Sequence, residues 1–166
     1  MSIIDRVVRA NETYARSFSG GHLSAPPTSG LAVVTCKDAR LEVEAMLGLR
    51  QGEAHVIRNA GGVATEDVIR SLLISHYMLS TREFMVINHT DCGLLTFTDD
   101  HLREKLQTLT GVTSETPARF HTFTDLEENV RAQVQKIKTH PWIPGDVAVR
   151  GFIYDVRTGR LAEVPC

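Results

Sequence analysis

No apolar stretch in these 166 residues approaches the ~20 that a helix needs to cross a bilayer. No membrane span is therefore expected. The opening residues, Met1-Ser2-Ile3-Ile4-Asp5-Arg6, lack the basic-then-apolar layout of a secretory leader. Cysteine is scarce, three in all, which is too few and too odd a number for a disulfide framework. A reducing cytoplasm is the expected compartment, and it keeps Cys36 and Cys92 available as thiols. Cys166 ends the chain and reads as a thiol on a loose terminus. The net charge is only -2, so there is no basic surplus to attract nucleic acid. There is no internal repeat, low-complexity segment or domain boundary. One domain over 1–166 is expected, with an N-terminal helix and extended arm over about 1–30.

What the chain does contain is a regular alternation of elements. Ile3, Ile4, Val7, Val8, Tyr14 and Phe18 recur at helical spacing, and Gly20-Gly21 ends that helix. The prolines and glycine of residues 24–30 predict an extended connector, of the kind that can lie on another subunit. Residues 31–36 and 83–88 are continuous apolar runs, the pattern of strands covered on both faces. Residues 53–59 and 147–154 predict two further strands, and a tight turn over 156–161 leads into a short edge strand. Helices are expected over 41–47, 66–79, 99–109 and 126–137, the second of them capped by Thr65. This alternation implies an α/β sheet with right-handed crossovers.

The residues with chemistry gather at two strand ends. Cys36-Lys37-Asp38-Ala39-Arg40 follows Leu31-Ala32-Val33-Val34-Thr35, and His89-Thr90-Asp91-Cys92-Gly93 follows Phe84-Met85-Val86-Ile87-Asn88. Open α/β sheets bind ligands at the carboxyl ends of their strands. Neighbouring strands end ~5 Å apart, close enough for one ion to join Cys36, His89 and Cys92. Two thiols and one imidazole suit zinc, and three protein ligands leave a fourth position for water. Packing residues or a Cys36–Cys92 redox pair are the alternatives, but there is no Cys-x-x-Cys, and Cys with His-x-x-Cys at two strand ends favours metal. Asp38 and Arg40 can project to one side of an extended turn. The guanidinium would orient the carboxylate and keep it ionised beside the metal.

Cys-x-Asp-x-Arg followed by His-x-x-Cys-Gly resembles the β-class carbonic anhydrases, specifically their short members. Residues 56–61 are similar to that family's second-strand motif, 68–72 to the following helix, and 151–161 to its C-terminal strand and turn. The resemblance covers about residues 30–164. It implies a four-stranded mainly parallel sheet with an added edge strand, flanked by helices. It implies one Zn2+ per subunit on Cys36, His89 and Cys92, with Asp38 and Arg40 as the catalytic dyad. Asn59, Ala60 and Gly61 would form the pocket wall, and Gly93 would offer a backbone N–H to bound anion. Members are homodimers or dimers of dimers, with pockets at subunit interfaces, and show both open and Asp-closed metal sites.

The expected reaction is hydration of carbon dioxide to bicarbonate by metal-bound hydroxide, with Asp38 accepting its hydrogen bond. Relatives of the short members hydrolyse carbonyl sulfide or carbon disulfide to hydrogen sulfide, and such a small linear substrate is the alternative. A third reading is non-enzymatic, a zinc-stabilised binding module or anion sensor. One departure stands out: longer, plant-like relatives carry a glutamine before the first strand, where this chain has Pro26, Pro27, Thr28 and Ser29. His55 and His76 read as structural, His22, His101, His121 and His140 as loop or surface residues, and Trp142 as a loop anchor. Asp99-Asp100 reads as helix N-terminal charge.

Overall fold

A computed structural model describes residues 1–166. Five strands, β1 (Leu31–Cys36), β2 (Ala54–Asn59), β3 (Glu83–His89), β4 (Ala148–Tyr154) and β5 (Leu161–Val164), form one sheet in the order β2-β1-β3-β4-β5. The first four are parallel, and β5 closes the edge antiparallel to β4. The α/β class and the sheet of four parallel strands with an added edge strand are as expected. β1 and β3, which end in Cys36 and His89, are direct neighbours in the sheet centre.

Both faces of the sheet are covered, which is why the central strands are apolar throughout. Ala32, Val34, Phe84, Val86 and Val149 face α3 (Glu66–Leu79) and α5 (Leu126–Lys138), where Val68, Ile69, Leu72, Val130, Val134 and Ile137 complete the main core. Val33 and Ile87, alternating with these, face a smaller cluster with Leu41 and Val43. That second cluster contains Cys36 and Cys92, so these two thiols sit inside an apolar layer. Thr65 caps α3 as expected, accepting from the Val68 N–H, and Asp125 caps α5 by accepting from Glu128.

Several boundaries differ. The helix expected over 41–47 is shortened to α2 (Val43–Leu47), because Leu41 is drawn into the core at 2% exposure. His89 is the last residue of β3, paired with Tyr154, rather than the first residue after it. α4 (Asp99–Thr110) runs to Gly111, which ends it at φ 69°. The N-terminal helix, α1 (Ile3–Arg16), stops at Ser17, and Gly20–His22 forms a separate short turn. α1 buries none of its residues against the rest of the chain. The Trp142 side chain is 69% exposed, and its loop is held instead through its carbonyl, which accepts from the Tyr77 hydroxyl. No helix is long and apolar enough to cross a membrane.

Candidate metal centre

The sheet brings the two motifs together. Cys36 and His89 end adjacent parallel strands, and the tight turn after β3 returns Cys92 to the same point. One ligand atom from each of Cys36, His89 and Cys92 falls within 4.8 Å of the other two, and all three residues are buried. Asp91 makes that turn possible by taking the left-handed conformation, φ 59°, which aspartate tolerates better than most residues.

The donor set fits a soft divalent cation. His89 Nδ1 lies 2.9 Å from the Thr90 carbonyl, so this nitrogen carries the proton and Nε2 presents a lone pair. Nε2 is buried and has no hydrogen-bond partner, an arrangement that is costly unless a cation faces it. Burial alone pushes His89 down. Its contact with the Cys36 sulfur, the Thr90 carbonyl and the fields of Cys36 and Asp38 prevail and raise it. Hydrogen bonding from the Cys92 thiol, opposed by burial and assisted by His89 and the Gly61 N–H, pulls Cys36 down to about 4. The Cys36 thiolate in turn pushes Cys92 well up. A divalent cation in contact with both sulfurs would hold both as thiolates.

Asp38 stands at the rim, with Oδ2 3.7 Å from His89 Nε2 and its side chain 19% exposed. Its carboxylate accepts three bonds from Arg40, from the backbone N–H and Nε on Oδ1, both at 2.9 Å, and from Nη2 on Oδ2 at 2.8 Å. Those bonds hold Asp38 well below the usual carboxylate range. Arg40 is itself fixed from the other side, donating to Asp91 Oδ2 at 2.9 Å and to the Asp91 carbonyl at 3.0 Å.

Two residues here escape a reading of the sequence. Asp91 lies between two ligands and looks like a solvated turn residue, yet it anchors Arg40. Arg58 spans the turn after β1, donating to the carbonyls of Cys36 (2.9 Å), Asp38 (2.6 Å) and Leu41 (3.1 Å). The available signal was an arginine one residue before Asn59 on a strand paired with β1.

The expected pocket-wall residues lie beside the cluster. The Gly61 N–H approaches Cys36 Sγ at 3.4 Å. The Asn59 side chain is committed to its own loop, donating to the Val63 carbonyl at 2.7 Å and accepting from its N–H at 2.9 Å. Ala60 is exposed on that loop, and Gly93 opens a short helical turn with open space on its Cα. The backbone of Thr28 and Ser29 bonds to Gly52 and Glu53 at the entry to β2. A surface cavity of about 820 Å3 between Arg70, Arg119 and Lys136 contains none of the cluster residues.

The fold and the buried Cys-His-Cys cluster define an α/β protein with a candidate soft-ligand metal site at the carboxyl end of its sheet. A family model described as Carbonic anhydrase matches residues 31–161. The chain is 46% identical over 164 residues to beta-carbonic anhydrase 1 of Mycobacterium tuberculosis, covering 99% of each chain. It is 33% identical to a carbon disulfide hydrolase of Acidianus, covering 96% of this chain and 88% of that one. Among solved structures, a carbonic anhydrase from Streptococcus mutans superposes with a TM-score of 0.94 at 45% identity, over 99% of each chain. The chain belongs to the β class of the carbonic anhydrase family, a family of enzymes.

Proposed function

We propose that this chain hydrates carbon dioxide to bicarbonate, using one zinc ion per subunit held by Cys36, His89 and Cys92. The observation that carries this reading is the convergence of three buried donors within 4.8 Å, one of them the unpartnered His89 Nε2. Zinc, when bound, supplies Lewis acidity that activates water toward the carbon of the substrate. Cys36 and Cys92 bind as thiolates, and His89 binds through Nε2 because Thr90 fixes the proton on Nδ1. Asp38 is ionised and can only accept, so it accepts a hydrogen bond from the attacking water and orients it. Arg40 keeps that carboxylate from turning, with Asp91 as its second anchor. The Gly93 N–H and the loop Asn59-Ala60-Gly61 line the position of substrate and bicarbonate.

The chain acts as one domain in a homodimer or dimer of dimers, with residues 1–30 reaching a second copy. The ligand thiols are free cysteines, and the reducing cytoplasm is the proposed compartment because it preserves them.

The likeness to carbon disulfide hydrolases supports a second reading, hydrolysis of carbon disulfide or carbonyl sulfide on the same centre. A paired assay separates the two, with carbon dioxide, carbonyl sulfide and carbon disulfide supplied to one preparation of measured zinc content. Carbon dioxide is expected to give the highest kcat/KM. A higher kcat/KM on either sulfur compound, with weak hydration, would reverse the order.

A further inference from the structure

Behind the metal centre lies a buried chain of three side-chain amides. Asn88, 1% exposed and adjacent to His89, donates from Nδ2 to the carbonyls of Gly61 at 3.0 Å and Gly62 at 3.3 Å. Its Oδ1 accepts from Asn129 Nδ2 at 2.6 Å, and Asn129 Oδ1 accepts from Gln133 Nε2 at 2.9 Å. Gln133 Oε1 accepts from the Ala64 N–H at 3.0 Å. The chain leaves the loop 61–64, crosses β3 and α5, and returns to the same loop.

The direction of this chain is fixed at both ends. Carbonyls only accept, so Asn88 must turn its NH2 toward Gly61 and Gly62. A backbone N–H only donates, so Gln133 must turn its oxygen toward Ala64. No single amide can flip without stranding buried donors and acceptors. Gly62, at φ 62°, fits this arrangement with no spare room: a Cβ there would lie 2.9 Å from Asn88 Nδ2 and 3.0 Å from the Cys36 nitrogen. The amide chain, the loop and the Cys36 backbone are therefore packed as one unit. That unit presents the Gly61 N–H to Cys36 Sγ at 3.4 Å. A hydrogen bond to a thiolate draws electron density from sulfur, and bonds of this kind around ligands tune a bound metal.

We propose that Asn88, Asn129 and Gln133 are positioning residues that aim the Gly61 N–H at the Cys36 sulfur and so set how strongly that thiolate donates to the metal. This rests on Cys36 being a metal ligand. The amides touch neither metal nor substrate.

The test uses the full chain loaded with cobalt(II), which reports thiolate ligation through sulfur-to-metal absorption, together with amide exchange at Gly61 in the zinc-loaded chain. Asn129→Leu is close in shape to the native residue and interrupts the chain at its centre; Gln133→Met interrupts it at its end. Ile137→Val, on the same helix but outside the amide chain, controls for loosened packing. The expected result is a band shifted to longer wavelength and Gly61 exchange about tenfold faster, the loss of one modest hydrogen bond, in the amide variants only. Should Asn129→Leu fail to fold, Gln133→Met carries the same comparison. An unchanged band and unchanged Gly61 exchange in a folded amide variant, or the same change in Ile137→Val, would overturn the proposal. A wild-type chain lacking the sulfur band would overturn the metal centre itself, which separates that failure from this one.

Discussion

Asp38, Arg40 and Asp91 form a row of alternating charge in which the central guanidinium spends donors on both neighbours. The exposed half of the row, Arg40 with Asp91, would contribute little as a surface ion pair. Its value lies in fixing Arg40, and through it the carboxylate beside His89. Asp38→Ala should therefore leave folding and zinc content intact while lowering kcat/KM about 10²-fold, the scale of losing a group that orients the reacting water. Zinc analysis, a melting curve and the hydration assay on one preparation check this. Loss of zinc, or unaltered kinetics, would remove Asp38 from the mechanism. Asp99 makes a different use of a carboxylate. It heads α4, as its position predicts, but it also accepts from the Phe120 N–H at 2.8 Å, the Thr122 N–H at 3.1 Å and the Thr122 hydroxyl at 2.8 Å. Burial pushes Asp99 up, but the bonds from Thr122 and Phe120 prevail and hold it at about 2, below its ordinary 3.8. The folded value lies below the unfolded one, so its stabilisation is complete above 3.8 and is lost as pH falls toward 2. Asp99→Asn should be destabilised by about 1 kcal/mol near neutral pH, the scale of bonds to a charged acceptor reduced by solvent screening. Urea titrations of both proteins should show the gap closing between pH 4 and 2, a window taken from those two values. A gap independent of pH would mean that the charge is immaterial.

Among the elements, α5 packs tightly onto β4 at a glycine. A Cβ on Gly151 of β4 would lie 2.4 Å from Val130 Cγ1 and 3.0 Å from Val134 Cγ2, both from α5. The missing side chain lets the helix settle onto the sheet, and the same helix carries Asn129 and Gln133. Gly151→Ala should cost about 1–3 kcal/mol by overpacking, read as a lower urea midpoint with the slope unchanged. A midpoint within error of wild type would show that α5 moves away freely. How much of this was legible beforehand follows from the kind of signal each element leaves. β1 and β3 announce themselves as continuous apolar runs because both of their faces are covered. Cys36, His89 and Cys92 stand out because soft donors are rare in this sequence and close two such strands. The amide chain leaves no such trace. Asn88 and Asn129 are polar residues 41 positions apart, and only the docking of α5 on β3 buries them together. Arg58 and Asp91 were hidden for the opposite reason: charged residues in turns and at strand ends usually face solvent, and their role appears only with the carbonyls and the guanidinium they meet.

For the whole molecule the unresolved balance is at the N-terminus. Ile3, Ile4, Val7, Val8 and Tyr14 on α1 and Phe18 beyond it are all between 46% and 68% exposed, although their spacing makes one apolar side. A capped, amphipathic helix that buries nothing in its own chain is short of the packing that usually stabilises such helices. In a two-fold dimer each contact occurs twice, so any apolar surface α1 covers on a second copy counts double. Ile4→Glu with Val8→Glu places two charges on that side, one helical turn apart, and leaves the Ser2–Asp5 capping box intact. Four side chains per dimer would then lose their cover. At ~1.2 kcal/mol each, half the worth of full burial because they start half exposed, the loss is ~5 kcal/mol. That corresponds to roughly 10³–10⁴-fold in the dissociation constant, enough to carry a dimer of ordinary stability into the micromolar range. Sedimentation velocity should accordingly show wild type as a dimer or larger at low micromolar concentration and the variant dissociating there. A wild-type monomer would refute the assembly. A variant of unchanged size would keep the assembly but take α1 out of its interface, and the apolar side of that helix would then need another partner.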